Sequence, residues 1–138
     1  MALQQGATNA FATGLMNGVY NFTSGSFKMA LYTGSATLGP DTAIYASANE
    51  VVATGYTAGG IALPVSVVPI SANNVSYISF SNVTWYGSIT ARGALIYQDG
   101  GSNPTVCVLD FGSDKTSITS LTVQFPTANS TNAIIRIT

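Results

Sequence analysis

The segment "SFKMALYTG", residues 26–34, carries the pattern that decides the fold of this chain. Its large apolar side chains occupy every second position, at Phe27, Met29 and Leu31. Alternation with a period of two is typical of a β-strand, because successive side chains of a strand point to opposite faces of the sheet. We therefore expect a strand here, with these three side chains facing the core.

Other segments repeat this period, or are short apolar runs bounded by Gly, Asn and Pro. We interpret each of them as one or more strands: "GIALPVSVVPI" (60–70), "NVSYISFSNVTWYG" (74–87), "RGALIYQ" (92–98), "TVCVLDFG" (105–112), "SITSLTVQFP" (117–126) and "NAIIRIT" (132–138). Pro64 and Pro69 cannot donate to a ladder, so the first of these is expected at a sheet edge or bent. A phase slip near Asn82 predicts a bulge that brings Val83 and Trp85 inward.

Two later segments have well-defined faces. We expect Cys107, Leu109 and Phe111 on one face of their strand, opposite Val106, Val108 and Asp110. In the next strand we expect Leu121, Val123 and Phe125 to point inward. Six to eight short strands with turn residues between them predict an all-β chain, an antiparallel β-sandwich or jelly roll.

One segment reads as a helix, residues 8–18, "TNAFATGLMNG". Thr8 or Asn9 is suited to cap its start, and Asn17-Gly18 to end it, although Gly14 weakens its middle. The chain of 138 residues has the size of one domain. We therefore expect a single domain, residues 1–138, with an N-terminal helix or arm (1–25) and a sandwich (26–138).

The composition is unusually poor in charge. Only 7% of the residues are charged, against about 25% in ordinary soluble domains. Polarity comes instead from Ser, Thr and Asn, which favours a surface that lies against other protein. The four basic residues are scattered, which predicts no nucleic-acid partner. We also expect no secretory signal and no membrane span.

The stretch "EVVATGYTAGGIALP", residues 50–64, resembles a phosphate-binding loop because it is rich in glycine. Such a loop lies between a strand and a helix and usually contains a Lys. Here an apolar, proline-containing strand follows, and no Lys is near. We therefore interpret Gly55, Gly59 and Gly60 as bend residues, and predict no cofactor.

The sequence offers little for catalysis. It contains no histidine and five acidic residues, which argues against the usual triads and most zinc sites. Asp99 and Asp110 flank a hairpin and are the candidate pair for a glycosidase, which needs two acids that face each other. Each is more simply interpreted as a turn or strand residue. Cys107 is the single cysteine and lies in an apolar run, so an inert thiol is expected. We predict no catalytic residues, no metal ligands and no enzymatic activity.

The segment "FKMALYTGSATLGPDTAIYASANEVVATGYTAGGIAL" (27–63), followed by a Trp-containing strand and "ARGALIY" (91–97), resembles a family of small virion proteins of tailed bacteriophages. The segments that carry the resemblance are Ala30 to Thr33, Leu38-Gly39, Tyr45, Glu50-Val51, Gly55-Tyr56, Gly59-Gly60 and Ala91 to Tyr97. They cover about residues 27 to 97, and the C-terminal 40 residues or so lie outside the resemblance.

The resemblance implies a structural part of a phage particle, most specifically a capsid decoration, or cement, protein. Such proteins sit on the exterior of the expanded icosahedral capsid after assembly in the host cytoplasm. The implied partners are the major capsid protein and a second copy of this chain, in a homodimer or trimer. A tail or tail-fibre position in the virion is the alternative, and a carbohydrate-binding module that uses Trp85 and the tyrosines is a second one.

The N-terminal arm supplies the predicted interface residues, which are Phe11, Leu15 and Met16. Apolar side chains on an arm outside a sandwich need a place to be buried, and a neighbouring subunit is one such place. An edge strand is the other part of the predicted interface. The competing interpretation is that these side chains cap the open end of their own core.

Overall fold

The computed structural model describes residues 3–125, 129, 131 and 133–137, without the side chains of residues 67 and 68. Strands dominate this part of the chain, and every ladder between them is antiparallel. The elements in order are β1 (Gly6–Ala7), α1 (Asn9–Asn17), β2 (Phe27–Tyr32), β3 (Ile61–Ala62), β4 (Val65–Ala72), β5 (Val75–Phe80), β6 (Val83–Tyr86), β7 (Thr90–Gln98), β8 (Thr105–Thr116), β9 (Ser120–Val123) and β10 (Ile135–Ile137). The all-β prediction is confirmed.

The helix forms where the sequence predicts it. The side chain of Thr8 caps its start by accepting a hydrogen bond from the amide of Phe11 (3.1 Å), and Gly18 ends it in the left-handed conformation (φ 72°). Gly14 has a packing role, because the ring of Tyr20 lies where a Cβ at residue 14 would be. The glycine that weakens the helix therefore lets that ring pack against it.

The largest sheet has the strand order β1-β8-β7-β2-β3. Strand β2 pairs along its whole length with β7, and both of its faces are covered. Phe27, Met29 and Leu31 face the main core, as predicted. Ala30 and Tyr32 on the other face join a second, smaller cluster. This central strand is therefore buried on both sides, which the alternating pattern alone does not reveal.

Strand β8 follows the predicted alternation with one exception. Cys107, Leu109 and Phe111 pack on the main core, and Val108 lies in the second cluster. Val106 also joins the main core, because the register between β7 and β8 shifts between residues 96 and 97 and leaves Val106 in a bulge. A bulge moves a side chain to the other face of a strand.

Two small sheets complete the fold, β10-β5-β4 and β6-β9. The proline-containing segment splits at Pro64 into β3 and β4, and β4 is an irregular edge strand among the described residues, as predicted. The predicted bulge at Asn82 does not form. Residues 81 and 82 instead carry the chain from one sheet to the other, and Val83 and Trp85 still point inward.

The main core draws side chains from all three sheets and from α1. Among them are Leu121, Val123 and Phe125, which pack inward as predicted. The N-terminal segment is not a free arm. β1 pairs with β8, and the hydroxyl of Tyr20 donates to the carbonyl of Thr105 (2.5 Å). Residues 3–25 are therefore part of the domain.

Candidate interaction surfaces

Helix α1 borders an apolar groove at one end of the molecule. The groove, of about 150 Å³, lies between α1 and the sheet β10-β5-β4. Phe11 and Leu15 line its helical side, and Ile135 and Ile137 line its strand side. We call this region, with the neighbouring Met16, the α1 surface.

The three predicted interface residues have different environments. Phe11 is only 3% exposed, because its ring packs against Tyr20 and Phe22 in the chain's own core. Its side chain therefore caps that core and offers little area to a partner, which favours the competing interpretation for this residue. Leu15 is partly exposed, and Met16 is 83% exposed. Leu15 and Met16 remain predicted interface residues.

A second group of exposed apolar side chains, which the sequence pattern does not reveal, lies on and beside three loops that meet. Val52 is 96% exposed, Tyr86 74% and Ile118 87%. Val52 lines one cleft, of about 340 Å³, together with Ser88 and the charged residues Arg92 and Asp114. Tyr86 pairs with Ser120 in the β6–β9 ladder, two residues after Ile118. We call residues 51–54, 86–89 and 117–119 the loop end.

The loop end is held by hydrogen bonds between its loops. The amide of Gly87 donates to the carbonyl of Thr119 (2.8 Å), and the hydroxyl of Ser117 donates to the carbonyl of Gly87 (2.8 Å). The amide of Ile89 in turn donates to the hydroxyl of Ser117 (3.1 Å). The exposed side chains therefore stand on ordered backbone, which lowers the entropy cost of binding a partner.

The two surfaces lie at opposite ends of the β7–β8 hairpin. Near its turn, Gln98 and Thr105 bond to residues 19 and 20, directly after α1. At the far end Thr90 pairs with Thr116, next to the loop end. The ladder runs from Thr90 to Tyr97 of β7 because β8 is bulged, and at about 3.3 Å per residue it spans about 23 Å. The molecule thus has two apolar ends, one at each end of its longest strand.

The glycine-rich stretch surrounds a buried carboxylate of its own chain. Glu50 accepts hydrogen bonds from the hydroxyl of Tyr45 (2.6 Å), the hydroxyl of Tyr56 and the amide of Gly59 (2.8 Å). Gly60 has a φ of 86°, and a Cβ there would collide with the carbonyl of Met29 in β2. These glycines shape a bend between segments, as predicted, and the amide of Gly59 points to an internal carboxylate.

Four tyrosines surround Glu50, and we call the group the tyrosine–glutamate cluster: Tyr32, Tyr45, Tyr56 and Tyr97. Burial, and then the negative charge or hydrogen bond of Glu50, raises the pKa of Tyr32, Tyr45 and Tyr56. Burial is also the main reason that the pKa of Tyr97 rises to about 12. The cluster ties residues 33–60, which contain no strand of their own, to the large sheet. Its role is structural.

Asp99 and Asp110, the candidate acid pair, bind different basic side chains. Asp99 lies 3.9 Å from the ammonium of Lys28, whereas Asp110 lies 3.2 Å from the guanidinium of Arg92. Asp110 pairs in register with Gly93, so Asp99 lies six residues further along the partner strand. The amide of Gly112, and then Arg92, lowers the pKa of Asp110. Each carboxylate is thus bound to its own local partners.

Trp85 does not form a binding platform. It is 4% exposed and packs near the ring of Tyr56, with a centroid distance of 6.3 Å. Its indole Nε1 has no hydrogen-bond partner among the described residues. Trp85 therefore offers no exposed ring face on which a sugar could stack.

Within the described ranges, no three Cys, Asp or Glu side chains are gathered as metal ligands. The part of the chain that the structure describes also has no helix with the length and apolar character to cross a membrane. Comparison with protein-family models, with curated proteins and with solved structures finds no match to this chain.

Proposed function

We propose that this chain is a non-enzymatic structural subunit of a tailed-phage virion, and specifically a capsid decoration protein. It binds the major capsid protein on the outside of the expanded icosahedral shell and stabilises that shell. The sequence supports this proposal through the short segments between residues 27 and 97 that resemble a family of phage virion proteins. The observation that carries the proposal is the loop end, with Val52, Tyr86 and Ile118 exposed on hydrogen-bonded loops.

Exposed apolar side chains on ordered backbone are what a protein-binding surface requires. Tyr combines a large apolar area with a polar group and is enriched at binding hot spots. A standard interface covers about 800 Å² per partner. The surface of this chain is 7,113 Å², so one such contact occupies about one ninth of it.

The low charge of the chain fits a subunit that is covered in its working state. Lys28 with Asp99 and Arg92 with Asp110 are ion pairs on the described surface, and only 7% of the residues of the chain are charged. A surface with few charges gives little long-range steering and little repulsion between copies. Such a surface is better suited to permanent assembly than to a free monomer.

The stabilisation follows from mass action. A ligand that binds only the assembled shell stabilises it by RT ln(1 + [L]/Kd), which is about 2.7 kcal/mol at 100 times Kd. Repeated at each site of the expanded shell, this free energy opposes rupture of the shell by the pressure of the packaged DNA.

We also propose how the three sheets are layered. The main core draws on all three sheets, so we propose that the five-stranded sheet forms one layer and the two small sheets the other. This arrangement is an antiparallel β-sandwich, of which a jelly roll is one form.

A tail or tail-fibre position is the second candidate, because an exposed apolar end fits either place in a virion. A carbohydrate-binding role has weaker support. Of the described tyrosines and Trp85, Tyr86 is the one that is mostly exposed, and a single ring is a small platform for a sugar.

Head binding tests the proposal. Expanded phage heads that lack the protein are mixed with purified chain and sedimented, and the bound copies and the melting temperature of the heads are measured. We expect a fixed saturating ratio and a higher melting temperature. Absence of binding to heads, with the protein found at the tail of intact particles, would overturn the decoration role.

Single variants locate the contact. Tyr86→Ser and Ile118→Ser should each weaken head binding by about thirtyfold, which corresponds to a hot spot of about 2 kcal/mol. Ile44→Ser is the matched control, because Ile44 is also exposed but lies outside the loop end. Equal loss in all three variants would show that the loop end is not the contact.

A further inference from the structure

We propose that the α1 surface binds a second copy of this chain across a two-fold axis, with Met16 of each copy in the apolar groove of the other. Self-association through this surface does not depend on the phage assignment. Three features of the α1 surface favour this pairing: the shape of the groove, the position of Met16 one residue after Leu15, and the absence of charge in α1.

The groove is open and almost wholly apolar. Its lining includes Leu15, Pro69, Ile135 and Ile137, and its polar atoms are those of Ser76 and Tyr77. Apolar cavities of about 150 Å³ accept a six-carbon ring such as benzene. The volume here is about 150 Å³, so an unbranched side chain with four heavy atoms, such as that of Met, fits it. An aliphatic side chain of a partner is therefore the ligand that suits the groove.

A side chain of that kind lies next to the groove on the same helix. Met16 follows Leu15, which lines the groove, and is 83% exposed. Ile137, which lines the groove, and Val19, which follows α1, are also about half exposed. Met is flexible and fills irregular apolar gaps well. The α1 surface thus carries both a projecting side chain and a recess.

This combination is what a two-fold interface requires. In an isologous dimer the same patch faces itself, so it must contain both the projecting group and the site that receives it. A foreign partner imposes no such requirement, since it needs only one of the two features. The pairing of Met16 with the groove on one patch therefore favours a second copy.

The charge distribution points the same way. Two copies that meet face to face bring identical groups together, so a charged patch would repel itself. Residues 9–17 of α1 contain no charged side chain, and none of the described residues that line the groove is charged. Arg136 lies between two lining residues, but alternation along β10 directs its side chain to the opposite face from Ile135 and Ile137.

The location of the α1 surface gives the dimer a use, and this step alone rests on the proposed function. The loop end lies at the other end of the β7–β8 hairpin, so pairing through α1 leaves both loop ends free. A dimer then presents two shell-binding surfaces and gains avidity from binding twice. Such a dimer cross-links neighbouring shell subunits.

Sedimentation equilibrium of the free chain, without any phage heads, tests the interface. The wild type should sediment at twice the mass of the 14.2 kDa chain. Met16→Lys places a charge at the projecting side chain, and Leu15→Trp fills the groove, so both should sediment as monomers. Ile118→Lys at the loop end is the matched control and should stay dimeric. Met16 and Ile118 are both highly exposed, so neither Lys disturbs the core.

The outcomes separate the two proposals. A monomeric or trimeric wild type, or a dimeric Met16→Lys, would overturn the two-fold interface whatever the heads bind. A wild-type dimer that both α1 variants dissociate and Ile118→Lys preserves would establish it, even if no head binding is seen.

Discussion

Replacing Glu50 by Ala should destabilise the fold more than the loss of any surface carboxylate. The carboxylate accepts three hydrogen bonds, from Tyr45, Tyr56 and Gly59. Glu50→Ala leaves these three donors without their acceptor. A buried donor that loses its partner costs about 1–3 kcal/mol, so we expect a loss on the order of 4 kcal/mol in the free energy of unfolding.

Glu50→Gln should be much milder. Its amide oxygen can take the place of the carboxylate oxygen that accepts from Tyr56 and Gly59. The hydroxyl of Tyr45 can rotate to accept from the amide nitrogen, because a Tyr hydroxyl is both donor and acceptor. The variant loses the contribution of charge but keeps the bonds, so we expect a loss of about 1 kcal/mol.

Urea unfolding followed by circular dichroism measures both variants. With a slope of about 2 kcal/mol per M, Glu50→Ala should lower the midpoint by about 2 M. Asp99→Ala is the control, because the pair of Asp99 with Lys28 spans 3.9 Å on the surface, and such pairs contribute at most about 1 kcal/mol. A Glu50→Ala midpoint equal to that of Asp99→Ala would refute the structural role of the tyrosine–glutamate cluster.

Three further predictions follow from packing and burial. Gly14→Ala should lower the melting temperature, although Ala is the better helix former by about 1 kcal/mol, because the new methyl group meets the ring of Tyr20; a more stable variant would contradict this. Burial raises the pKa of the Cys107 thiol from 9.0 to about 12, so it should resist thiol reagents at pH 8 and react in urea; fast labelling of the native chain would refute its burial. Burial raises the pKa of Tyr97 from 10.0 to about 12, so the stability from its neutral form is complete below pH 10 and is lost as the pH rises toward 12; unfolding midpoints that stay constant across this window would count against it.

The positions of the strands can be predicted from the sequence, because the alternation of apolar side chains and the positions of proline are local signals. The alternation of residues 27–32 and the cap at Thr8 appear in the structure as predicted. The form of the break at Asn82 was not accessible, since a bulge and a switch between sheets produce the same phase slip. The covered second face of β2 also depends on residues 33–60, which show no period of their own.

The candidate surfaces were only partly predictable. Leu15 and Met16 were identified because apolar residues on a helix outside a sheet need a partner. The burial of Phe11 is not predictable, because nothing local reveals that Tyr20 and Phe22 fold back onto it. The loop end joins residues 51–54, 86–89 and 117–119, which are distant in sequence. Isolated apolar residues such as Val52 and Ile118 give no signal until the fold brings their loops together.

The most direct test of the central claim is a cryo-electron-microscopy difference map of expanded heads with and without the bound chain. We expect density on the outer face of the shell, with the loop end against the capsid subunits and α1 surfaces paired between neighbouring copies. Density with the loop end facing solvent, or found only at the tail, would contradict it.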